Sequence, residues 1–166
     1  MSNALRSALT LGLSILAVAA WSQPPTTPEQ KARMIQLIDD LEKHPNAETA
    51  GDARKEVMEW LTDAPDVSVA VCQSLYGDVE KLDKEGGGFL TFQQMFAEAR
   101  FMLMSPDDAK DELKVHLAGI EGVVRTYRQM QAEKPGFRLS IIEPLARMSQ
   151  EGKLADYVKK ATKKCH

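Results

Sequence analysis

Asp108, Glu112 and His116 stand at i, i+4 and i+8. On a helix that spacing puts two carboxylates and an imidazole on one face, where they could share a cation. A solvated helix start explains the same residues more simply. Asp107, Asp108, Asp111 and Glu112 crowd a first turn, where the helix dipole favours negative charge, and Lys110 and Lys114 are interspersed. His44 precedes Pro45 in a helix-end turn and His166 follows Cys165, neither with a second ligand at useful spacing. H-E-x-x-H, G-x-S-x-G and S-x-x-K are absent. Gly86, Gly87 and Gly88 lack the G-K-[ST] ending of a phosphate loop and read as a flexible linker. Carboxylate pairs such as Asp39-Asp40 become catalytic only where a cleft separates their pKa values. The expectation is a protein without catalytic, metal or cofactor residues, with a metal-dependent or hydrolytic enzyme using Asp108, Glu112 and His116 as the alternative.

The two cysteines are too few for a disulfide-built miniprotein or a four-cysteine zinc site. Cys72 continues the Tyr76 and Val79 side of one helical pattern, and Cys165 prolongs the stripe of Leu154, Val158 and Ala161. Both point inward, so in an oxidising compartment they are expected to bond to each other. The bridge would close a loop of about 92 residues, worth up to roughly 4 to 5 kcal/mol on the chain-entropy account. Haem attachment would need C-x-x-C-H, and Cys165-His166 lacks the first Cys.

That compartment is suggested by the amino terminus. Residues 1–7 carry Arg6, residues 8–20 are apolar or small, and Trp21-Ser22-Gln23-Pro24-Pro25 follows. A short basic start, an apolar stretch of about a dozen residues and small residues at its end describe a secretory signal peptide. The apolar run is shorter than the roughly 20 residues of a membrane span. The expected division is a signal peptide over residues 1–22, a short disordered tether over 23–27 and a helical domain over 28–166. The protein is then exported, periplasmic or extracellular, with no membrane span after cleavage.

The elements that must position these side chains read as consecutive helices. Thr27-Pro28-Glu29-Gln30 is a capping box opening a helix with Met34, Ile35, Ile38 and Leu41 on one face. Asn46 can cap a second, with Ala50, Ala53, Val57, Trp60 and Leu61 inward. Asp66 can cap a third carrying Val71, Cys72, Leu75, Tyr76, Val79 and Leu82, although residues 67–71 alternate as a strand would. Thr91 and Gln94 form a second capping box, with Leu90 and Met95 placed as a staple, before a stretch to Met104 that is apolar nearly all round and therefore central. That Met- and Phe-rich stretch could instead be a plastic binding surface. Ser105-Pro106 opens the longest helix, with Leu113, Leu117, Ile120, Val124 and Tyr127 inward and a bend possible at Gly119 and Gly122. Ser140 and Glu143 make a third capping box, and Gly152 separates that helix from the last. The fold expected is all-α: a compact single-domain bundle of about six to seven helices closed by one disulfide.

Composition excludes more than it assigns. At 43% hydrophobic and 27% charged, the 166-residue chain is not wholly disordered, collagen-like or multi-span. A net charge of -3, or -4 once Arg6 is removed, gives no whole-molecule attraction to nucleic acid. The charge is uneven, however. Residues 29–66 hold ten acids against five bases. Residues 145–166 hold six bases, Arg147, Lys153, Lys159, Lys160, Lys163 and Lys164, against two acids. That basic end is a candidate contact surface for an acidic partner or an anionic membrane. The functional expectation is a non-catalytic exported domain that binds a protein or cell-envelope component, with a carrier of a small apolar ligand as a further alternative.

Overall fold

The computed structural model describes residues 24–165, so the expected signal peptide lies outside the described residues. Seven α-helices run in chain order: α1 (Pro28–Lys43), α2 (Ala50–Asp63), α3 (Val79–Lys84), α4 (Leu90–Met104), α5 (Glu112–Glu133), α6 (Ile142–Gln150) and α7 (Leu154–Ala161). Short 3₁₀ turns occupy Gln73–Leu75, Pro106–Asp108 and Thr162–Lys164. Among the described residues there is no strand, and no helix is long and apolar enough to cross a membrane. The all-helical bundle is as the hydrophobic periodicity predicts.

α4 and α5 share the most extensive helix contact, and α5 also meets α1, α6 and α7. The core lies on both sides of this pair. Met34, Ile38, Leu41, Val57, Phe96 and Leu103 pack one side, and Leu75, Leu82, Ile120, Tyr127, Ile142 and Val158 pack the other. α5 runs unbroken through Gly119 and Gly122. They let α4 approach it: a Cβ on Gly119 would lie 2.7 Å from the Glu98 Cγ, and one on Gly122 would collide with Ala97. α4 is central as expected, with only Phe92 and Met104, toward its two ends, left as exposed large apolar side chains.

The helix starts separate local signals from tertiary ones. Thr27 does form a full capping box: its hydroxyl accepts from the Gln30 N–H at 3.2 Å, and the Gln30 side chain accepts from the Thr27 N–H at 3.0 Å. The other two expected boxes do not form. Thr91 lies inside α4 and donates to the Gly88 carbonyl at 2.8 Å, while Gln94 is buried. The Leu90–Met95 staple is lost as well, since Leu90 is itself the first residue of α4. Ser140 donates its N–H and hydroxyl to Glu85, both at 2.6 Å, and Glu143 accepts from the Tyr127 hydroxyl at 2.7 Å. Asn46 reaches across to Glu133 at 2.7 Å, so α2 begins after Thr49. At Ser140 and Asn46 a distant partner takes the capping side chain, whereas Thr91 is already inside α4 and bonds locally to Gly88.

Two further expectations are corrected. The α-helix expected from Asp66 onward is absent: residues 67–72 are extended, a 3₁₀ turn follows at Gln73–Leu75, and α-helix begins only at Val79, capped by Asp78. The Asp66 carboxylate is occupied by the Thr26 N–H and hydroxyl, at 3.1 and 2.7 Å. The alternation of β-branched Val67, Val69 and Val71 prevails, with Val67 buried and Ser68 and Ala70 exposed. The glycine run is a packed turn rather than a linker. Gly86 takes φ +82°, and buried Gly87 bonds to the Leu82 carbonyl at 2.8 Å with no room for a Cβ beside Leu82 and Leu139.

Cys72 and Cys165 form the expected disulfide, with Cα atoms 5.4 Å apart across a separation of 93 residues. It ties the extended segment to the chain end beyond α7.

Candidate functional site

A cleft of about 930 Å³ opens beside this disulfide. Its walls are residues 70–74, the start of α5 through Glu112, Leu113 and His116, and residues 162–165. Each wall has a local cause. Asp111 starts α5 by accepting from the Lys114 N–H at 3.1 Å, which places Glu112 and His116 one turn apart on the cleft side. The disulfide and the Ser74 hydroxyl, which donates to the Ala161 carbonyl at 3.0 Å, hold the 3₁₀ turn Gln73–Leu75 against the chain end. Tyr157 adds a hydrogen bond to the Leu75 carbonyl at 2.9 Å.

His116 is anchored from below. Its Nδ1 lies 2.9 Å from Oε1 of Glu98 on α4, whose side chain is fully buried, and Gln94 donates to the same oxygen at 2.7 Å. The hydrogen bond to Glu98 raises the His116 pKa above its ordinary 6.5, against the opposing effect of burial. Tyr76, buried nearby, is pushed well above its ordinary value, first by burial and then by the Glu98 charge. The Tyr76 hydroxyl and Glu98 Oε2 have no hydrogen-bond partner among the described residues.

This arrangement biases the imidazole at the cleft toward its protonated form. A general base needs the opposite bias, a pKa near or below the working pH. Ser74 and His116 share the cleft over a carboxylate, as a nucleophile and base would, but the Ser74 hydroxyl is committed to the Ala161 carbonyl and makes no hydrogen bond to His116. Among the described residues lining the cleft, Lys163, Lys164 and an imidazole biased toward its charged form face one carboxylate, that of Glu112. What the cleft can do chemically is accept anionic groups.

The sequence-derived triad is divided. Asp108 lies outside α5, in the 3₁₀ turn, and bonds to Lys114 at 2.7 Å, which raises the Lys114 pKa. Glu112 and His116 do meet in the cleft. Among the described residues no group of three or more His, Cys, Asp or Glu side chains is gathered to hold a metal. Of the basic set, Lys163 and Lys164 line the cleft. Arg147, Lys153, Lys159 and Lys160 are exposed on α6 and α7 and the turn between them, with Lys153 paired to Glu151 at 2.7 Å. Glu98 escaped the sequence reading, and Gln94 entered it only as part of a helix cap. The available signal was the i, i+4 polar pair Gln94 and Glu98 inside a largely apolar helix.

A second cleft of about 920 Å³ adjoins the first at Gln73 and has the opposite charge, with Asp78, Glu80 and Asp83 beside Phe89 and Phe92. Comparison with protein-family models, curated proteins and solved structures finds no match for this chain. The class defined by fold and site is an all-helical, disulfide-closed bundle with a cationic cleft.

Proposed function

We propose that this protein is an exported, non-catalytic domain that binds an acidic segment of a partner protein in the cleft beside the Cys72–Cys165 bridge. The observation that carries this reading is the grouping of His116, Lys163 and Lys164 around one concavity, with His116 biased toward its charged form by buried Glu98. Export is supported by the signal-like residues 1–22 and by a disulfide of the kind that persists in oxidising compartments.

An anionic membrane surface is a weaker fit. Helices that lie in a membrane interface present an apolar face, and α7 buries its own, Leu154 and Val158, in the core. α6 likewise buries Ile142 and Leu145.

The test is titration with fluorescent poly-L-glutamate, followed by anisotropy. The wild-type protein should bind, with affinity falling steeply between 50 and 200 mM salt, on the order of one decade per few released counterions. Lys163→Glu with Lys164→Glu should weaken binding by at least about tenfold, whereas Lys55→Glu, on the far helix α2, should leave it unchanged. Equal loss from both changes would mean diffuse attraction and would overturn the cleft assignment.

A further inference from the structure

The extended segment over residues 67–71 borders the cleft through Ala70 and Val71 and is unusual for a helical protein. No group among the described residues hydrogen-bonds to the backbone N–H or C=O of these five residues. Both ends are nevertheless fixed. Asp66 is held by Thr26, and Cys72 by the disulfide. The side chains already alternate, Val67 buried, Ser68 exposed, Val69 half-buried, Ala70 exposed.

A fixed, extended backbone with unpaired polar groups has the properties of an edge strand, and such an edge accepts a second extended chain by main-chain hydrogen bonds. Five residues present about 16 Å of edge, enough for a five- or six-residue partner segment. We propose that the acidic segment bound in the cleft docks as a β-strand against residues 67–71. Every second side chain of such a strand points the same way. Acidic residues at alternate positions near Ala70 and Val71, the part of the edge that borders the cleft, would therefore face its basic lining, while the intervening side chains point away. The occupant this charge complementarity selects is an acidic, extended polypeptide segment of another protein. The inference rests on the anionic-cleft reading and adds the conformation of the ligand to it.

The experiment uses an octapeptide alternating Glu and Val and two versions of it, N-methylated at either the odd or the even positions. Methylation removes amide donors but leaves every carboxylate in place. In a strand only one alternate set of amides faces the partner edge. One methylated peptide should therefore bind at least tenfold more weakly than the parent, and the other within about twofold of it. The Ala70→Pro protein, checked for folding by circular dichroism, should bind the alternating peptide at least tenfold more weakly, because proline removes the Ala70 N–H; unchanged affinity would overturn the strand proposal. If both methylated peptides bind like the parent, recognition is by charge alone, which overturns the strand proposal and leaves the cleft reading standing. If neither the alternating peptide nor poly-L-glutamate binds, the cleft reading itself fails.

Discussion

His116 is where the sequence and the structure overlap most narrowly. Its helical spacing from Glu112 was legible, and the two do share a wall of the cleft. Its more consequential partner, Glu98, lies 18 residues earlier on another helix, and no local pattern joins them. The consequence is a pH-dependent contribution to stability. The folded pKa of His116 is raised, so its charged interaction with Glu98 contributes fully below the unfolded value of about 6.5 and is lost as pH rises through the folded value. His116→Ala should destabilise the protein by about 3 kcal/mol at pH 5.5, because it removes the imidazolium that pairs with buried Glu98. The deficit should shrink above pH 8. Urea unfolding of both proteins across that range measures it, and a deficit that grows with pH would refute the pairing.

The elements show why some patterns were readable and others were not. α1 and its capping box depend on residues three apart, and they form as read. The box expected at Thr91 fails because α4 already begins at Leu90, and the one expected at Ser140 gives way to a bond with distant Glu85. Helix periodicity over residues 71–82 is real, but three β-branched residues and the capture of Asp66 by Thr26 keep its first part extended. α5 was placed with its start too early, since the Pro106 turn ends at Asp108 and Asp111 supplies the cap. The glycines of α5 were legible only as weak points. Their role, close approach to α4, depends on a neighbour the sequence does not name. Gly119→Val should therefore lower stability by about 3 kcal/mol, at the upper end for overpacking, through collision with Glu98 and Gln94. Ala at the exposed Gly51 of α2, where a Cβ meets nothing, should raise it by about 0.5 to 1 kcal/mol. Thermal melts of the two variants separate these signs.

For the whole molecule, two inward cysteines and an uneven charge distribution were visible from composition and spacing, and the disulfide pairs as expected. The sequence could not show that the same bridge frames a cleft, with the basic chain end on one wall and the start of α5 on another. Replacing both cysteines by Ser should lower unfolding free energy by about 4 kcal/mol and expose the region after Ala161 to protease. Limited proteolysis followed by mass spectrometry reads the second effect. It should also weaken poly-L-glutamate binding, because Lys163 and Lys164 would no longer be held beside His116.

If one surface is the binding site, amide chemical-shift mapping will locate it. ¹⁵N-labelled protein titrated with poly-L-glutamate at low salt should show its largest shifts at residues 67–74, 112–116 and 162–165, saturating together with one apparent Kd. Shifts centred elsewhere, on α1 and α2 or in the acidic cleft around Asp78 and Asp83, would contradict the cleft assignment, as would no shifts at all.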